Sequence, residues 1–142
     1  MTYLLDTNVI SELRKSPSRR EPAVFAWADA QPDETLHTSA ICLLELEMGV
    51  LRKERTFAAQ GARLRHWLES VVVPGFGERV LPFDAAAARR AAMMHVPDHR
   101  SDRDCLIAAT AAAHDLVVVT QNVADMEPTG VAVLNPWLRP EG

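Results

Sequence analysis

Lysine occurs at only two positions, 15 and 53, and cysteine at only two, 42 and 105. The cysteines stand in unrelated apolar contexts, with no CxxC and no Cys/His ligand spacing, which argues against a zinc site. They read as free core thiols, as suits a reducing cytoplasm, the expected location. No apolar run approaches the ~18 residues that a membrane-spanning helix requires. The first residues include neither a basic n-region nor an apolar h-region, so no signal peptide is expected. Repeats, low-complexity segments and linkers are also missing, so residues 1–142 are expected to form one domain. A chain of that length can bury roughly two thirds of its unfolded surface and needs no staples.

Excess positive charge is missing too, at a net −4. What arginine there is lies unevenly. Arg52, Lys53, Arg55, Arg63 and Arg65 lie together, as do Arg89, Arg90, Arg100 and Arg103. These are either solvated helix faces or basic patches beside an acidic pocket, since steering depends on local potential rather than total charge.

The hydrophobic pattern alternates between the two periods of regular structure. Residues 2–5 read as a buried strand, and Thr7 or Asn8 can cap a helix through about Arg14. Pro22 at a first helical position opens a second helix carrying Val24, Phe25, Trp27 and Ala28. A short strand is expected at 35–38, then a helix capped by Ser39 through about Lys53. A further helix is expected at 55–72, ended by "PGFG". Strand 79–83, a helix 85–95 capped by Asp84, and a helix 103–114 follow. "LVVVT" at 116–120 is short, β-branched and without alternation, the mark of a strand buried on both faces. "VAVL" at 131–134 is expected to be the last strand. Strands alternating with helices predict a three-layer α/β/α sandwich with a mostly parallel central sheet. Ligands in such folds bind beyond the carboxyl ends of the strands.

Four acids stand out against this frame. Asp6 ends the first strand, where it could serve a site or simply cap the next helix. Glu45 lies among Leu43, Leu44 and Leu46, on one helical face with Ile41, Met48 and Gly49, while Glu47 points roughly the other way. A carboxylate beside apolar neighbours is costly unless a metal ion or a buried arginine answers it, or the side chain snorkels to the surface. Asp104 sits in the first turn of its helix, where it also suits the helix dipole, and Asp102 is the expected cap. Asp125 follows the "LVVVT" strand in "TQNVAD". Several carboxylates in one pocket repel one another. Hard oxygen ligands of this kind suit Mg²⁺ or Mn²⁺, which accept phosphate oxygens, and the chemistry implied is phosphodiester hydrolysis.

The segments "YLLDTNVISEL", "TSAICLLELEMGV", "DCLIAATAAAHDLVVVTQNVADM" and "VLNPW" resemble, in order and spacing, those of PIN-domain ribonucleases, specifically VapC-like toxins of toxin–antitoxin pairs. The resemblance implies that Asp6, Glu45 and Asp104 are the core metal-binding acids and Asp125 the fourth. Thr7, Asn8, Thr120 and Asn122 would orient those acids or the metal-bound water. It further implies a Mg²⁺-dependent endoribonuclease (Mn²⁺ being an alternative ion), an RNA substrate, a homodimer, and a small VapB-like antitoxin as partner. Phe25, Trp27, Phe57, Leu64, Trp67 and Leu68 would supply an apolar groove for that partner, if they do not all pack internally. Gln121 and Met126 depart from the family pattern, where a basic residue and an aromatic are usual, and the loop 95–103 is unusually polar.

Two rivals use acids at strand ends. A phosphoaspartate phosphatase wants a second Asp two residues after the first, where this chain has Asn8. A response-regulator receiver wants a Lys after a late strand, and neither lysine lies there. A third alternative, a catalytically silent PIN-like module that binds RNA or protein, differs from a nuclease in lacking metal-dependent cleavage.

Overall fold

The computed structural model describes residues 1–138. Five strands form one sheet: β1 (Tyr3–Leu5), β2 (Leu36–Ser39), β3 (Val80–Leu81), β4 (Val117–Val119) and β5 (Val133–Leu134). Their order is β3-β2-β1-β4-β5, and each neighbouring pair is parallel. The chain thus builds outward from β1 to β3 on one side, then crosses back to place β4 on the other side of β1. The crevice between the carboxyl ends of β1 and β4 is the topological switch point, where open α/β sheets take their ligands.

Helices cover both faces: α1 (Thr7–Arg14), α2 (Pro22–Asp29), α3 (Ala40–Thr56), α4 (Ala58–Trp67), α5 (Val73–Phe76), α6 (Ala85–Met94), α7 (Asp102–Ala113) and α8 (Val123–Met126). Side chains alternating along β1 feed two cores. Tyr3 and Leu5 join Val9, Ile10, Val24, Leu36, Leu46, Leu68 and Val119 on one face. Leu4 joins Cys42, Ile107, Ala108, Ala111, Val118 and Met126 on the other. The sandwich expected from the strand–helix alternation is therefore what forms. Leu4 has no exposed surface, and truncating such a leucine costs about 2–5 kcal/mol.

Several local expectations change. Asp6, rather than Thr7 or Asn8, caps α1, accepting from the Thr7 backbone N–H at 2.8 Å. Ser101 occupies the cap position of α7, and Asp102 is its first helical residue, turned toward His95 and His99. The expected helix 55–72 is divided. Phe57 leaves helical geometry at φ −140°, α4 ends at Trp67, and a wider π turn at Leu68–Val72 leads into α5. Gly77, at φ +54°, ends it with a conformation that a side chain disfavours. Strand 79–83 shrinks to Val80–Leu81, because Pro82 has no N–H to donate to the ladder. Between α3 and α4 the backbones meet closely. A Cβ on Gly61 would lie 2.6 Å from the Glu54 backbone.

Candidate active site

Asp6 stands at the carboxyl end of β1, where the Asp6 N–H extends the ladder to the Val119 carbonyl at 2.9 Å. Its side chain is 5% exposed, and both oxygens are held. Oδ1 accepts from the Thr7 N–H at 2.8 Å and faces the Cys42 thiol at 3.9 Å. Oδ2 accepts from the Thr120 hydroxyl at 2.8 Å and from Asn8 Nδ2 at 3.4 Å. The cap role is thus performed by Oδ1, and Oδ2 is turned to the groups at the end of β4.

Glu45 projects from α3 toward the same place. Its Oε1 accepts from the Thr7 hydroxyl at 2.9 Å, so Thr7 joins the two acids, donating its N–H to one and its O–H to the other. The Glu45 Oε2 lies 3.6 Å from Nη1 of Arg103, whose side chain is half exposed, so this is a solvent-accessible ion pair and not the buried arginine expected. Glu47 points away and pairs with Arg65 at 2.8 Å on the α4 side, as helical spacing predicts. Asp104, half-buried in the first turn of α7, adds a second nearby negative charge. Burial raises the Asp6 carboxyl above its ordinary value, the Thr120 and Thr7 bonds oppose the rise, and repulsion from Glu45 and Asp104 adds to it. A group so crowded favours either a proton or a cation.

The flanking polar residues form one connected set. Asn8 Nδ2 also donates to Thr120 Oγ1 at 3.1 Å, and Asn8 Oδ1 accepts from the Gln121 N–H at 3.2 Å. Thr120 Oγ1 accepts from the Asn122 N–H at 3.0 Å. Gln121 therefore takes part through its backbone, which any residue could supply. Asn122 enters through backbone groups, its carbonyl receiving the Asp125 and Met126 N–H groups that begin α8. Asp125 itself is exposed on α8. The structure brings Asp6, Glu45 and Asp104 into one field of charge, while Asp125 makes no side-chain hydrogen bond or ion pair to them. Met126 is fully buried and fills the core under α8.

Two contributors escaped the motifs. Arg103 sits in the first turn of α7, and its pairing with Glu45 depends on how α7 docks on α3. Cys42, one turn before Glu45, reads from its context as a core thiol, and its approach to Asp6 appears only in three dimensions. A further buried acid, Glu12, is structural: it pairs with Lys15 at 3.0 Å and accepts from the Glu21 N–H.

Asp6, Cys42 and Glu45 offer ligand atoms within 4.8 Å of one another. Burial and the Asp6 charge push the Cys42 thiol up to about 11, which makes it a poor donor beside the two carboxylates. The donors left are hard carboxylate oxygens, which fit Mg²⁺ or Mn²⁺ better than a thiophilic ion.

The apolar groove expected of α2 and α4 is only partly open. Leu68 is fully buried, and Trp27 and Trp67 pack against the core, Trp27 edge-on to Tyr3 at 5.0 Å. Two hollows remain beside them. One of about 840 Å³ lies between α2 and the chain after β5, lined by Ala23, Ala26, Trp27, Leu134 and Pro136. Another of about 300 Å³ is lined by Ile10, Leu13, Trp67, Val71 and Phe76. Among the described residues no helix is long and apolar enough to cross a membrane.

Known proteins resemble this chain in sequence and in arrangement. The PIN domain family profile matches residues 3–124. VapC ribonuclease Y4jK of Sinorhizobium fredii is 41% identical over 94% of this chain and 96% of its own length. Toxin FitB of Neisseria gonorrhoeae is 38% identical over 94% and 97%. The crystal structure of FitAcB from Neisseria gonorrhoeae superposes with a TM-score of 0.87 at 35% identity, covering 96% of this chain and 99% of that one. The structure of FitAB bound to a DNA fragment gives 0.85 at 31% identity, covering 99% of each chain. With its switch-point acids, its parallel sheet and these likenesses, the chain belongs to the PIN-domain family, in the branch that holds the VapC ribonuclease and FitB toxins.

Proposed function

We propose that the protein is a metal-dependent endoribonuclease and the toxin of a toxin–antitoxin pair, hydrolysing RNA phosphodiester bonds at the Asp6–Glu45–Asp104 site. The observation that carries this is the convergence of Asp6 and Glu45 at the β1–β4 switch point, joined by Thr7, where burial first and then the Glu45 and Asp104 charges raise the Asp6 carboxyl and a cation would offset that cost. Asp6, Glu45 and Asp104 would hold Mg²⁺ or Mn²⁺, with Asp125 acting through water from α8. Such an ion lowers the pKa of a bound water and supports charge on a phosphoryl oxygen.

The chain's own residues supply the rest. Thr120, Asn8 and the Thr7 N–H fix both Asp6 oxygens, so the carboxylate is oriented before substrate arrives. Cys42, protonated and buried, closes the floor of the site to water. Arg103, paired with Glu45 and half exposed, offers a guanidinium to a non-bridging phosphate oxygen. A VapB-like antitoxin is the proposed partner, consistent with the FitAcB and FitAB likenesses and with the apolar hollows beside Trp27 and Trp67. The test is incubation of purified protein, free of antitoxin, with total RNA in Mg²⁺ and in EDTA. Cleavage in Mg²⁺ alone is expected, and intact RNA in both sinks the reading.

A further inference from the structure

Helix α3 is sorted by charge around its circumference. Glu47 and Glu54 lie one above the other on the side that faces α4, where Arg65 bonds both, at 2.8 Å in each case. The close seating of Gly61 on the Glu54 backbone seals that side. The opposite side begins at Glu45. At the helical spacing of 100° per residue, Gly49, Arg52 and Thr56 follow within about 40° of it, and Lys53 and Arg55 flank the row. Gly49, Arg52, Lys53, Arg55 and Thr56 line an open hollow of about 650 Å³. A Cβ built on Gly49 would meet nothing within 4 Å. Arg52 and Arg55 have no carboxylate within ion-pair distance among the described residues, in contrast to Arg65. At the far end, Lys53 Nζ stands 5.0 Å from the centre of the Phe57 ring, which is 59% exposed.

Accessible cations in line with a nuclease site, ended by an exposed aromatic ring, fit a single-stranded polynucleotide: phosphates to the cations and a base on the ring. Building on the ribonuclease reading above, we propose that this face of α3 is the track for the RNA strand leaving the cleavage site. Arg52 and Arg55 contact its phosphates, and Phe57 stacks one base about three turns from Glu45. Gly49 keeps the path clear between the acids and the cations. Uncancelled positive charge favours RNA over an apolar partner segment, and the hollow begins at Gly49, about one helical turn beyond Glu45.

The test measures binding of a short mixed-sequence single-stranded RNA to Asp104→Asn protein in Mg²⁺, against salt concentration. Adding Arg52→Gln and Arg55→Gln should flatten the slope of log K against log salt by about 1.4, at about 0.7 for each phosphate that no longer meets a cation. Adding Phe57→Ala should weaken binding about fivefold or more and leave the slope unchanged. Arg89→Gln with Arg90→Gln, on α6, serves as the control and should leave the slope alone. An unchanged slope in the Arg52/Arg55 variant overturns the track. So does intact RNA binding accompanied by loss of antitoxin binding or of dimerisation, which would make the face a protein interface. Wild-type cleavage of total RNA is followed in parallel. If it persists while the slope does not move, the nuclease reading stands and the track alone fails. If wild type does not cleave, that reading fails, and the slope comparison still judges the track.

Discussion

The Thr120 hydroxyl, at the end of β4, donates to Asp6 Oδ2 at 2.8 Å across 114 residues of sequence. This bond both orients the carboxylate and favours its ionised form. Thr120→Val should therefore lower RNA cleavage about 10- to 100-fold, the usual cost of losing a partner of a metal-binding side chain. The acid limb of the pH–rate profile should move to higher pH, and Thr120→Ser should restore both. A uniform loss with an unmoved profile would mean that Thr120 only supports packing.

Asp104 contributes charge at the start of α7 and raises the Asp6 carboxyl by repulsion. Asp104→Asn should abolish cleavage while the protein stays folded. Its metal-free melting temperature should hold or rise, because one like charge is removed. Normal cleavage by this variant would remove Asp104 from the site.

Glu45 and Glu47 differ in kind, one facing Asp6 and the other paired with Arg65 on the α4 side. Glu45→Gln should cost metal affinity and nearly all activity. Glu47→Gln should change activity little and stability by about 0–1 kcal/mol, as for an exposed pair. Metal titrations and melting curves of the two variants check this, and matching activity losses would contradict it.

Asp6 is buried and bonded on both oxygens, whereas Asp125 is exposed on α8. Asp6→Asn is expected to lose cleavage at any Mg²⁺ concentration. Asp125→Asn should lose less and recover in part at raised Mg²⁺ or Mn²⁺, as suits a group acting through water. Cleavage of one RNA across a metal titration decides. Rescue of Asp6→Asn alongside an irrecoverable Asp125→Asn would reverse the two roles.

Burial lifts the folded-state Asp6 pKa above its ordinary 3.8. An acid with a raised folded pKa gives up its proton more readily when unfolded. Its ionisation therefore costs stability as pH rises from about the unfolded value through the folded one, then levels off. In EDTA, the stability of wild type relative to Asp6→Asn should fall over that window. Mg²⁺ should recover the loss at neutral pH, by about 2.7 kcal/mol at a hundredfold excess over its Kd. That gain should fade in acid, where Asp6 holds a proton. Melting temperatures against pH, with and without Mg²⁺, measure it, and a flat difference curve would refute it.

Local chemistry alone made much of this protein legible. The unbroken β-branched run at 117–119 could only be comfortable inside a sheet covered on both faces. The Ser39 and Asp84 caps marked α3 and α6, because a side-chain oxygen one residue before a helix satisfies a specific N–H. Helical spacing alone separated Glu45 from Glu47. What the sequence could not decide is which distant groups meet. Pairing β4 beside β1 sets Thr120 on Asp6, docking α7 against α3 sets Arg103 on Glu45, and seating Gly61 on Glu54 closes the α4 side of α3. Each is a long-range contact chosen by core packing and strand order, to which neither propensity nor periodicity is sensitive. Asp6 shows the boundary: its place at a strand end is written in residues 3 to 8, but the Thr120 hydroxyl on its second oxygen and the Glu45 and Asp104 charges near it are brought there only by the fold.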